Sequence, residues 1–374
     1  MYRVVRAPVR DKDYCLAMDF TLGTHLTALE GPILVTGHTG FKGTWLTLLL
    51  EKLGIPVVGI SLPPTEDSLF TRAKRTGQIE EKFQDIRDSG SVRKVIATFK
   101  PSAIFHLAAQ PLVLESYKSP LQTFETNVMG TSNVLDAAFR EKSVQAIVVV
   151  TTDKVYRNNN LGDAFIESDP LAGKDPYSAS KVGTESAVAA WQQISKVSGG
   201  PKVLSVRAGN VIGGGDWANE RLLPDLIRGF DSGKLVQVRN AESTRPWQHV
   251  LDPLKGYVMA LEGLLNGINY EALNFGPNFQ SLTVREVVEI ARKEWAQDTK
   301  LEYLPQNLGS IEEAEKLQLD SHLARERLAW APHWSQEEAV ISTVQWWIKV
   351  LNSSRIPTEA CEENLIELLS TTGR

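Results

Sequence analysis

Cysteine is scarce in this sequence of 374 residues, which contains only Cys15 and Cys361. Two cysteines so far apart supply neither a disulfide framework nor the close spacing of a metal site. We therefore predict no bound metal ion and a reducing compartment, with the cytoplasm as the default.

Long apolar runs are missing as well. A membrane span needs about 20 mainly apolar residues, and no stretch of this chain reaches that length. Residues 1–30 mix charged with apolar side chains and lack the continuous apolar core of a signal peptide. We expect no contact with a membrane.

Positive charge is not in excess either. The formal net charge is -5 at pH 7, whereas a general nucleic-acid-binding protein usually has a basic surface, so we expect no nucleic-acid partner. The chain does have 42% hydrophobic and 23% charged residues, proportions typical of a soluble globular protein with a sizeable core. Its length allows one large domain or two moderate ones.

Three glycines separate a short apolar run from a segment of helical character. Residues 33–35 predict a buried parallel strand, and residues 44–53 predict the helix that covers it. The glycines between them are Gly37, Gly40 and Gly43. Glycine lets the chain bend tightly and lets a pyrophosphate approach the backbone at the positive N-terminal end of the helix. This order of strand, glycines and helix favours nucleotide binding over an ordinary tight turn.

The second predicted strand, residues 56–60, leaves the type of dinucleotide open. The usual pattern places an acidic residue near the end of this strand, where it bonds the ribose hydroxyls of NAD. This chain has Ser61 there, followed later by Arg72, Lys74 and Arg75. The residues alone do not decide between NAD and NADP.

Two further predicted strands end in residues suited to a ligand site. Residues 103–110 run from an apolar strand into small side chains, against which a cofactor can lie. Residues 146–150 end in Thr151, Thr152, Asp153 and Lys154. Polar residues at the carboxyl end of a parallel strand lie where open α/β sheets bind ligands.

Tyr177 and Lys181 stand four residues apart at the start of a predicted helix, so they share one of its faces. An ammonium group beside a phenol lowers the pKa of the phenol and makes a usable base near neutral pH. A surface tyrosine with an ordinary lysine is the alternative, and such pairs are common by chance. After a dinucleotide loop and a polar strand end, the catalytic pair is the favoured interpretation.

The second half of the chain contains a glycine-rich stretch, residues 209–217, which suggests a loop that closes over a ligand. Arg245 lies beyond it, where a guanidinium can clamp a diphosphate or form an ordinary surface ion pair. Residues 317–319 are a possible strand. The two ends of the chain look loosely organised.

Six blocks of the sequence together resemble the extended short-chain dehydrogenase/reductase family and, within it, the nucleotide-sugar 4,6-dehydratases. They are TGHTGFKGTWL (36–46), HLAAQPLV (106–113), TDK (152–154), YSASK (177–181), RAGNVIGGGDW (207–217) and RPWQHV (245–250). The resemblance extends from about residue 31 to about residue 346. The last two blocks are not general features of the wider family.

The resemblance implies an α/β fold, in which a doubly wound (Rossmann) parallel sheet binds NAD and a smaller C-terminal α/β domain binds a sugar nucleotide. The implied division is an N-terminal extension (1–30), a Rossmann domain (31–207 with about 246–270), a substrate domain (208–245 with 271–352) and a C-terminal tail (353–374). Relatives often pair through two helices into a four-helix contact. A homodimer is therefore expected, with the helices that start near Asn127 and Tyr177 as candidates.

The resemblance also implies the residues of the site. Those expected to bind NAD are Gly37, Thr39, Gly40, Phe41, Lys42, Gly43, Asp85, Ile86, Leu107, Ala108, Ala109, Gln110, Asn127, Thr151, Tyr177 and Lys181. Those expected to bind the substrate are Gln110, Asn210, Arg221, Arg245 and His249. Those expected to be catalytic are Thr152, Asp153, Lys154, Tyr177 and Lys181.

The pair Asp153-Lys154 indicates which branch of the nucleotide-sugar 4,6-dehydratases this chain resembles. Relatives that act on dTDP-glucose carry Asp-Glu there, whereas the branch that acts on CDP-glucose resembles this chain in carrying Asp-Lys. The implied reaction turns CDP-glucose into CDP-4-keto-6-deoxyglucose and water. Tyr177, assisted by Lys181 and Thr152, is expected to take the proton of the C4 hydroxyl. Asp153 is expected to protonate the departing C6 hydroxyl, and Lys154 is a candidate for the base at C5.

Three other functions share part of this pattern. Another nucleotide-sugar 4,6-dehydratase would share all of it except the preference for CDP. A sugar-nucleotide 4-epimerase would share the glycine loop, Tyr177 and Lys181, but has no use for an acid–base pair at Asp153 and Lys154. A non-catalytic NAD-binding regulatory protein is the third alternative, and the intact Thr152, Tyr177 and Lys181 count against it.

Overall fold

In the computed structural model, residues 22–278, 281–297, 299–305, 316–352 and 356–371 are described. Most of the expected N-terminal extension, Cys15 included, lies outside them. The strands of the described part are β1 (Ile33–Thr36), β2 (Val57–Ser61), β3 (Glu80–Phe83), β4 (Ala103–His106), β5 (Ala146–Val150), β6 (Lys202–Ala208), β7 (Val211–Ile212), β8 (Val236–Val238), β9 (Thr244–Arg245), β10 (Gln248–His249), β11 (Ala272–Phe275), β12 (Leu282–Thr283) and β13 (Leu301–Tyr303).

The α-helices of the same part are α1 (Phe41–Lys52), α2 (Leu69–Arg72), α3 (Ser89–Phe99), α4 (Val113–Lys118), α5 (Pro120–Phe124), α6 (Thr131–Arg140), α7 (Pro176–Ser198), α8 (Leu222–Ser232), α9 (Leu251–Leu265), α10 (Val284–Trp295), α11 (His322–Leu328), α12 (Gln336–Asn352) and α13 (Pro357–Thr371). A π-helical segment, Glu125–Gly130, joins α5 to α6. Short 3-10 helices cover Leu26–Ala28 and Asp153–Val155.

Seven of the strands form the central sheet, in the order β11-β6-β5-β4-β1-β2-β3. Every pairing in it is parallel. The chain moves outward from β1 through β2 and β3, then returns to begin the other half at β4. The crevice between β1 and β4 is therefore the switch point of a doubly wound sheet, and ligands bind outside the carboxyl ends of the strands there. The predicted fold class is confirmed.

Both faces of the sheet are buried. Successive strand residues point to opposite faces, and β1 shows the consequence. Ile33 and Val35 pack in a hydrophobic cluster with α1, α9 and α12, whereas Leu34 packs in a second cluster with α3, α6 and α7. Burial on both faces explains why inner strands such as β5 are uninterrupted apolar runs in the sequence, whereas the edge strand β3 is largely exposed and charged.

The sheet extends beyond the limit predicted for its domain. β11 pairs with β6 in parallel, although we assigned residues 271–352 to the substrate domain. The sheet therefore includes one strand beyond the expected boundary at about residue 270. The rest of the division stays a prediction. Trp295 and Trp346, from the predicted substrate domain, pack in the same hydrophobic cluster as Ile33.

The C-terminal end is not loosely organised. Within residues 356–371, α13 buries Cys361, Leu365 and Leu368 in the main hydrophobic cluster. The hydroxyl of Thr358 also donates to the carbonyl of Ala73 at 2.9 Å. The expected strand at 317–319 is wrong, since in this described stretch Leu319 makes only an isolated bridge to Phe165.

Candidate active site

The glycine loop after β1 lies against the loop after β4. Gly37 has a φ of +74°, and a Cβ on it would lie 2.7 Å from the Ala108 nitrogen. A Cβ on Gly43 would lie 2.1 Å from the Gly37 carbonyl oxygen. Both distances are too short for any side chain, so these two glycines are required by close backbone packing of strand, loop and helix.

Gly40 differs from the other two glycines. A Cβ there would come only within 3.3 Å of the Gly37 carbonyl oxygen. Gly40 is also the residue before α1, and no side chain of the described residues caps this helix. The first N–H groups of α1 therefore lack a side-chain acceptor, and the helix dipole favours an anion in front of them. The space that a Cβ would fill and the uncapped helix end together fit a dinucleotide diphosphate.

Two of the three basic residues after β2, Arg72 and Arg75, are paired with carboxylates of the protein. Ser61, at the end of β2, pairs with Thr39 across 2.7 Å between their hydroxyl oxygens. Arg72 forms an ion pair with Asp67 at 2.6 Å, and Arg75 is buried and pairs with Glu51. Both guanidiniums are thus already paired within the protein rather than available to the 2′-phosphate of NADP, which favours NAD.

Gln110 and Asn127 hold the loop after β4 in shape. The Asn127 amide accepts from the Gln110 nitrogen at 2.8 Å and donates to the Gln110 carbonyl at 3.0 Å. The Gln110 amide donates to Thr123 Oγ1 at 3.0 Å and accepts from the Leu112 nitrogen at 2.6 Å. Both side-chain amides are thus used within the protein. Their direct contacts with cofactor or substrate stay predictions.

Four more predicted cofactor residues are also occupied by protein contacts. The Leu107 and Ala108 nitrogens each donate to Thr36 Oγ1 at 3.1 Å. Asp85 accepts from the guanidinium of Arg87 at 2.6 Å. The hydroxyl of Thr151 donates to Glu185 at 2.5 Å, which turns it into the interior of the protein.

Tyr177 and Thr152, two of the residues expected to be catalytic, lie side by side. The Tyr177 hydroxyl hydrogen-bonds the Thr152 side chain, and the ring is buried. Burial raises the pKa of Tyr177 to about 12, although the Thr152 hydrogen bond and the charge of Arg221 act to lower it. The phenol therefore keeps its proton at neutral pH in this structure.

Lys181 is buried one helical turn further along α7. Its Nζ donates to the Val150 carbonyl at 3.1 Å, and burial lowers its pKa to about 8 while Glu185 acts in the raising direction. We expected Lys181 to lower the pKa of Tyr177, whereas the pKa of Tyr177 is raised overall in this structure; the catalytic role of Lys181 stays a prediction. Burial of the phenol outweighs the effect of a lysine whose ammonium is directed at a backbone carbonyl.

Asp153 and Lys154 form an ion pair beside the catalytic tyrosine. Asp153 is fully buried, and its Oδ1 accepts from Lys154 Nζ at 3.1 Å and from Thr152 Oγ1 at 3.0 Å. Lys154 also lies 3.4 Å from Asn210 Oδ1. Asp153 Oδ2 has no hydrogen-bond partner among the described residues. A buried polar atom without a partner calls for an explanation, and beside Tyr177 and Lys154 a ligand group is a suitable one.

The predicted substrate contacts fall in two groups. Arg221 immediately precedes α8, and its guanidinium lies 2.8 Å from the Asp216 carboxylate. The charge of Arg221 acts to lower the pKa of Tyr177. Arg245 is buried on β9 and donates to the Thr244 carbonyl at 2.8 Å. Arg221 and Asn210 thus lie near the catalytic residues, whereas the contact of Arg245 with substrate stays a prediction.

His249 lies in a hydrophobic core. It is fully buried on β10, with its ring centroid 4.1 Å from that of Trp334 and 6.2 Å from that of Trp45. Burial lowers its pKa to about 3. The predicted role of His249 in substrate binding is therefore not supported, because aromatic rings cover it.

Sequence reasoning missed three features of the site. The hydroxyl of Tyr257, on α9, lies 3.5 Å from Lys42 Nζ. Asp216 orients Arg221. A buried network also joins Glu185 to Arg207 at 2.8 Å, and Arg207 donates to the Tyr156 hydroxyl at 2.8 Å. Arg207 and Asp216 both lie in the block RAGNVIGGGDW, which carried a sequence signal, whereas tertiary folding alone brings Tyr257, Glu185 and Tyr156 to their partners.

Two negative findings concern the described part of the chain. Among the described residues, no group of three or more His, Cys, Asp or Glu side chains is placed to hold a metal ion. Over the same residues, no helix is both long and apolar enough to cross a membrane.

Comparison with known proteins gives the following likenesses. The profile of the NAD dependent epimerase/dehydratase family matches residues 33–276. The chain is 41% identical over 329 residues to the CDP-glucose 4,6-dehydratase of Salmonella typhimurium, which covers 85% of this chain and 91% of the relative. It is 26% identical over 372 residues to the dTDP-glucose 4,6-dehydratase of Escherichia coli, which covers 86% of this chain and 97% of that protein.

Solved structures share the fold. The UDP-glucose 4-epimerase of Stenotrophomonas maltophila, solved with bound NAD, has a TM-score of 0.75 at 22% identity and covers 87% of this chain and 100% of its own. The dTDP-glucose 4,6-dehydratase of Streptomyces venezuelae, also solved with NAD, has a TM-score of 0.72 at 23% identity and covers 86% of this chain and 99% of its own. At these identities the likeness concerns the fold alone.

Proposed function

The chain belongs to the NAD dependent epimerase/dehydratase family, and from this premise we propose that it is an NAD-dependent lyase that converts CDP-glucose into CDP-4-keto-6-deoxyglucose and water. The observation that carries the proposal is the meeting of Thr152 and Tyr177 with the ion pair of Asp153 and Lys154 in one buried site. A 4-epimerase has no use for that second pair. The 41% identity to a CDP-glucose 4,6-dehydratase supports the same substrate.

Gly37, Gly40 and Gly43 would hold the diphosphate of NAD at the start of α1. When bound, NAD supplies the oxidation at C4 of the sugar and the matching reduction at C6, so the cofactor ends as it began. Arg72 and Arg75, which follow β2, are already paired with carboxylates, and this supports NAD over NADP as the cofactor.

Tyr177 is the group that takes the proton of the C4 hydroxyl. Its phenol keeps its own proton while its pKa is about 12, so it can act as this base only after its pKa has fallen and its own proton has left. Thr152 assists, because its side chain acts on the phenol in the direction that lowers the pKa. Nearby positive charge lowers the pKa of a phenol, and Arg221 acts on Tyr177 in this direction.

Asp153 is the group that protonates the departing C6 hydroxyl. Its Oδ1 is occupied by Lys154 and Thr152, which leaves the partnerless Oδ2 to hold the transferred proton. Lys154 is the candidate for removing the C5 proton, since its Nζ lies between Asp153 and Asn210. It can take that proton only as the neutral amine, so both roles require the proton shared by the ion pair to lie on Asp153 in the substrate complex. The new C4 ketone makes that proton acidic.

The test is to incubate the purified protein with CDP-glucose and to scan for the ultraviolet absorbance of a 4-keto sugar in alkali. A dehydratase gives this product, a 4-epimerase gives CDP-galactose without it, and a regulatory protein gives neither. UDP-glucose and dTDP-glucose serve as matched substrates for the base preference. Absence of a keto product with all three nucleotides would contradict the proposal.

We further propose a homodimer formed through α7 and the helices around Asn127. Large apolar side chains are exposed on this side, among them Leu121 at 73% and Met129 at 57%, and exposed apolar surface of this kind is typical of an interface. Met129→Glu should then give monomers in sedimentation at micromolar concentration. Leu161→Glu, which changes an equally exposed leucine in a loop, should not. A cytoplasmic location stays a prediction.

A further inference from the structure

Lys42 reaches from the glycine loop into the catalytic site. It is the second residue of α1, and its Nζ lies 3.5 Å from the Tyr257 hydroxyl and 5.8 Å from the centre of that ring. Tyr257 belongs to α9, and burial, ionised Tyr177 and Asp153 all raise the pKa of its hydroxyl. The lysine side chain therefore ends among the catalytic residues, although its backbone lies where the cofactor diphosphate is expected.

Positive charge around Lys42 exceeds negative charge. Arg221, Lys181 and Lys154 act on it as cations, and Asp153 is the carboxylate that acts on it in the opposite direction. Asp153 already pairs with Lys154, and Asp216 already pairs with Arg221. No carboxylate of the described residues forms an ion pair with Lys42. A partly buried ammonium without a counter-charge is destabilising, so an anionic group of a ligand would stabilise Lys42.

The direction of the side chain distinguishes the two diphosphates that could supply this anion. α9 packs against β5 and β6 as well as against α1, so Lys42 points towards the half of the sheet that carries Asp153 and Asn210. The adenosine half of a dinucleotide lies over the other half, towards β2 and β3. Arg221, the strongest charged neighbour of Lys42, also comes from the substrate side.

We propose that Lys42 and Arg221 together bind the diphosphate of the sugar nucleotide. The inference rests on the function proposed above, and it assigns Lys42 to the substrate rather than to the cofactor. Two cations that converge on a diphosphate give charge-assisted hydrogen bonds from opposite sides. They would also set the distance between the sugar and Asp153.

Proton uptake is a measurable consequence. Burial, and then the charge of Arg221, lowers the pKa of Lys42 to about 7. The other groups that face it are Lys181 on α7, Lys154 and Asp153 after β5, and Tyr257 on α9. A bound diphosphate would raise the pKa of Lys42 again. At about pH 8 the free lysine is then mostly neutral and the bound lysine charged, so binding takes up to about one proton and weakens as pH rises above about 7.

The experiment measures CDP-glucose binding by calorimetry in the full-length Tyr177→Phe protein, which should not turn the ligand over. Titrations at about pH 8 in two buffers of different ionisation enthalpy give the number of protons taken up. We expect Lys42→Met to lose this uptake and to bind CDP-glucose at least about tenfold more weakly. Lys42→Arg should bind well but take up no proton, because arginine stays charged. Lys52→Met, at the exposed end of the same helix, is the matched control.

Binding of NAD to the same variants separates the two sources of diphosphate. Unchanged NAD affinity in Lys42→Met, with weaker CDP-glucose binding, supports the proposal. If Lys42→Met loses affinity for NAD alone, Lys42 belongs to the cofactor site and the proposal is wrong. The proposal is also wrong if Lys42→Met binds CDP-glucose as tightly as its parent and takes up the same number of protons. If the Tyr177→Phe parent binds no CDP-glucose at all, the proposed function fails and not merely the role of Lys42.

Discussion

Arg221 donates to the carboxylate of Asp216 across 2.8 Å, and Asp216 is itself buried. The next residue, Trp217, is fixed between two partners: the Arg72 guanidinium lies 4.1 Å from the centre of its ring, and the Trp347 ring centroid lies 4.1 Å away at nearly a right angle. The loop that carries Arg221 is therefore anchored, and its guanidinium is oriented before any substrate arrives. Orientation in advance lowers the free-energy cost of binding.

Asp216→Asn should weaken substrate binding without changing the chemical step. The amide leaves Arg221 charged but removes its ion pair, so the guanidinium must be ordered when the diphosphate binds. We expect KM for CDP-glucose to rise about tenfold, which corresponds to about 1.4 kcal/mol, with kcat nearly unchanged. Asp225→Asn breaks another acid–arginine pair of the same segment, that of Asp225 with Arg228, and serves as control. A large fall in kcat in Asp216→Asn would show a role in chemistry instead.

Gly40→Ala and Gly43→Ala should separate cofactor binding from folding. A Cβ on Gly43 collides with the Gly37 carbonyl oxygen at 2.1 Å, so Gly43→Ala should lower the thermal midpoint strongly or prevent folding. A Cβ on Gly40 meets that oxygen only at 3.3 Å, so Gly40→Ala should fold while losing NAD affinity. Thermal unfolding beside NAD titration checks both. Equal NAD binding by Gly40→Ala and the parent would argue against the diphosphate site.

Tyr177→Phe should abolish turnover while leaving the fold and CDP-glucose binding nearly intact. The change removes one hydroxyl from a buried ring and little volume, so the cost in packing is small. Thr152 loses a hydrogen-bond partner but keeps its contact with Asp153 Oδ1. Turnover measured beside calorimetric binding decides the matter. Near-normal turnover would rule out Tyr177 as the group that takes the C4 proton.

Lys154→Met and Lys154→Arg should show whether Lys154 removes the C5 proton. If it is the base, both variants still oxidise C4 but lose exchange of the C5 hydrogen with deuterated solvent, because arginine does not release a proton. If it only stabilises negative charge on the sugar, Lys154→Arg restores the exchange. Mass spectrometry of recovered CDP-glucose measures it. Exchange by Lys154→Met at close to the wild-type rate would exclude Lys154 as the base.

The sequence was most informative where burial or capping acts locally. Residues 146–150 were predicted as a strand with the bounds that the structure shows. The cap of α10 is equally local, since Thr283 forms a box with Glu286 three residues later. Features that arise from tertiary contacts were missed. β11 is a strand only because β6 lies beside it, and the raised pKa of Tyr177 follows from the packing of several elements around one hydroxyl.

The last prediction concerns stability, through Asp252 at the start of α9. This carboxyl is fully buried, with Oδ1 accepting from the His333 nitrogen at 2.5 Å and Oδ2 without a partner among the described residues. Burial raises its pKa to about 7. The unfolded chain ionises near the ordinary value of about 3.9, so the stability that the protonated carboxyl contributes is fully present below about pH 4 and is lost as pH rises to about 7.

Asp252→Asn mimics the protonated carboxyl at every pH, since its Oδ1 can still accept from His333. Relative to the wild type, the variant should therefore gain stability between about pH 5 and about pH 8, by an amount on the order of 3 kcal/mol in the free energy of unfolding. Urea unfolding at both pH values measures this difference. Asp231→Asn, an exposed aspartate, is the control and should change neither value. The same pH dependence in Asp252→Asn and the wild type would show that Asp252 is already ionised in the folded protein at about pH 5, and that its partnerless oxygen is solvated.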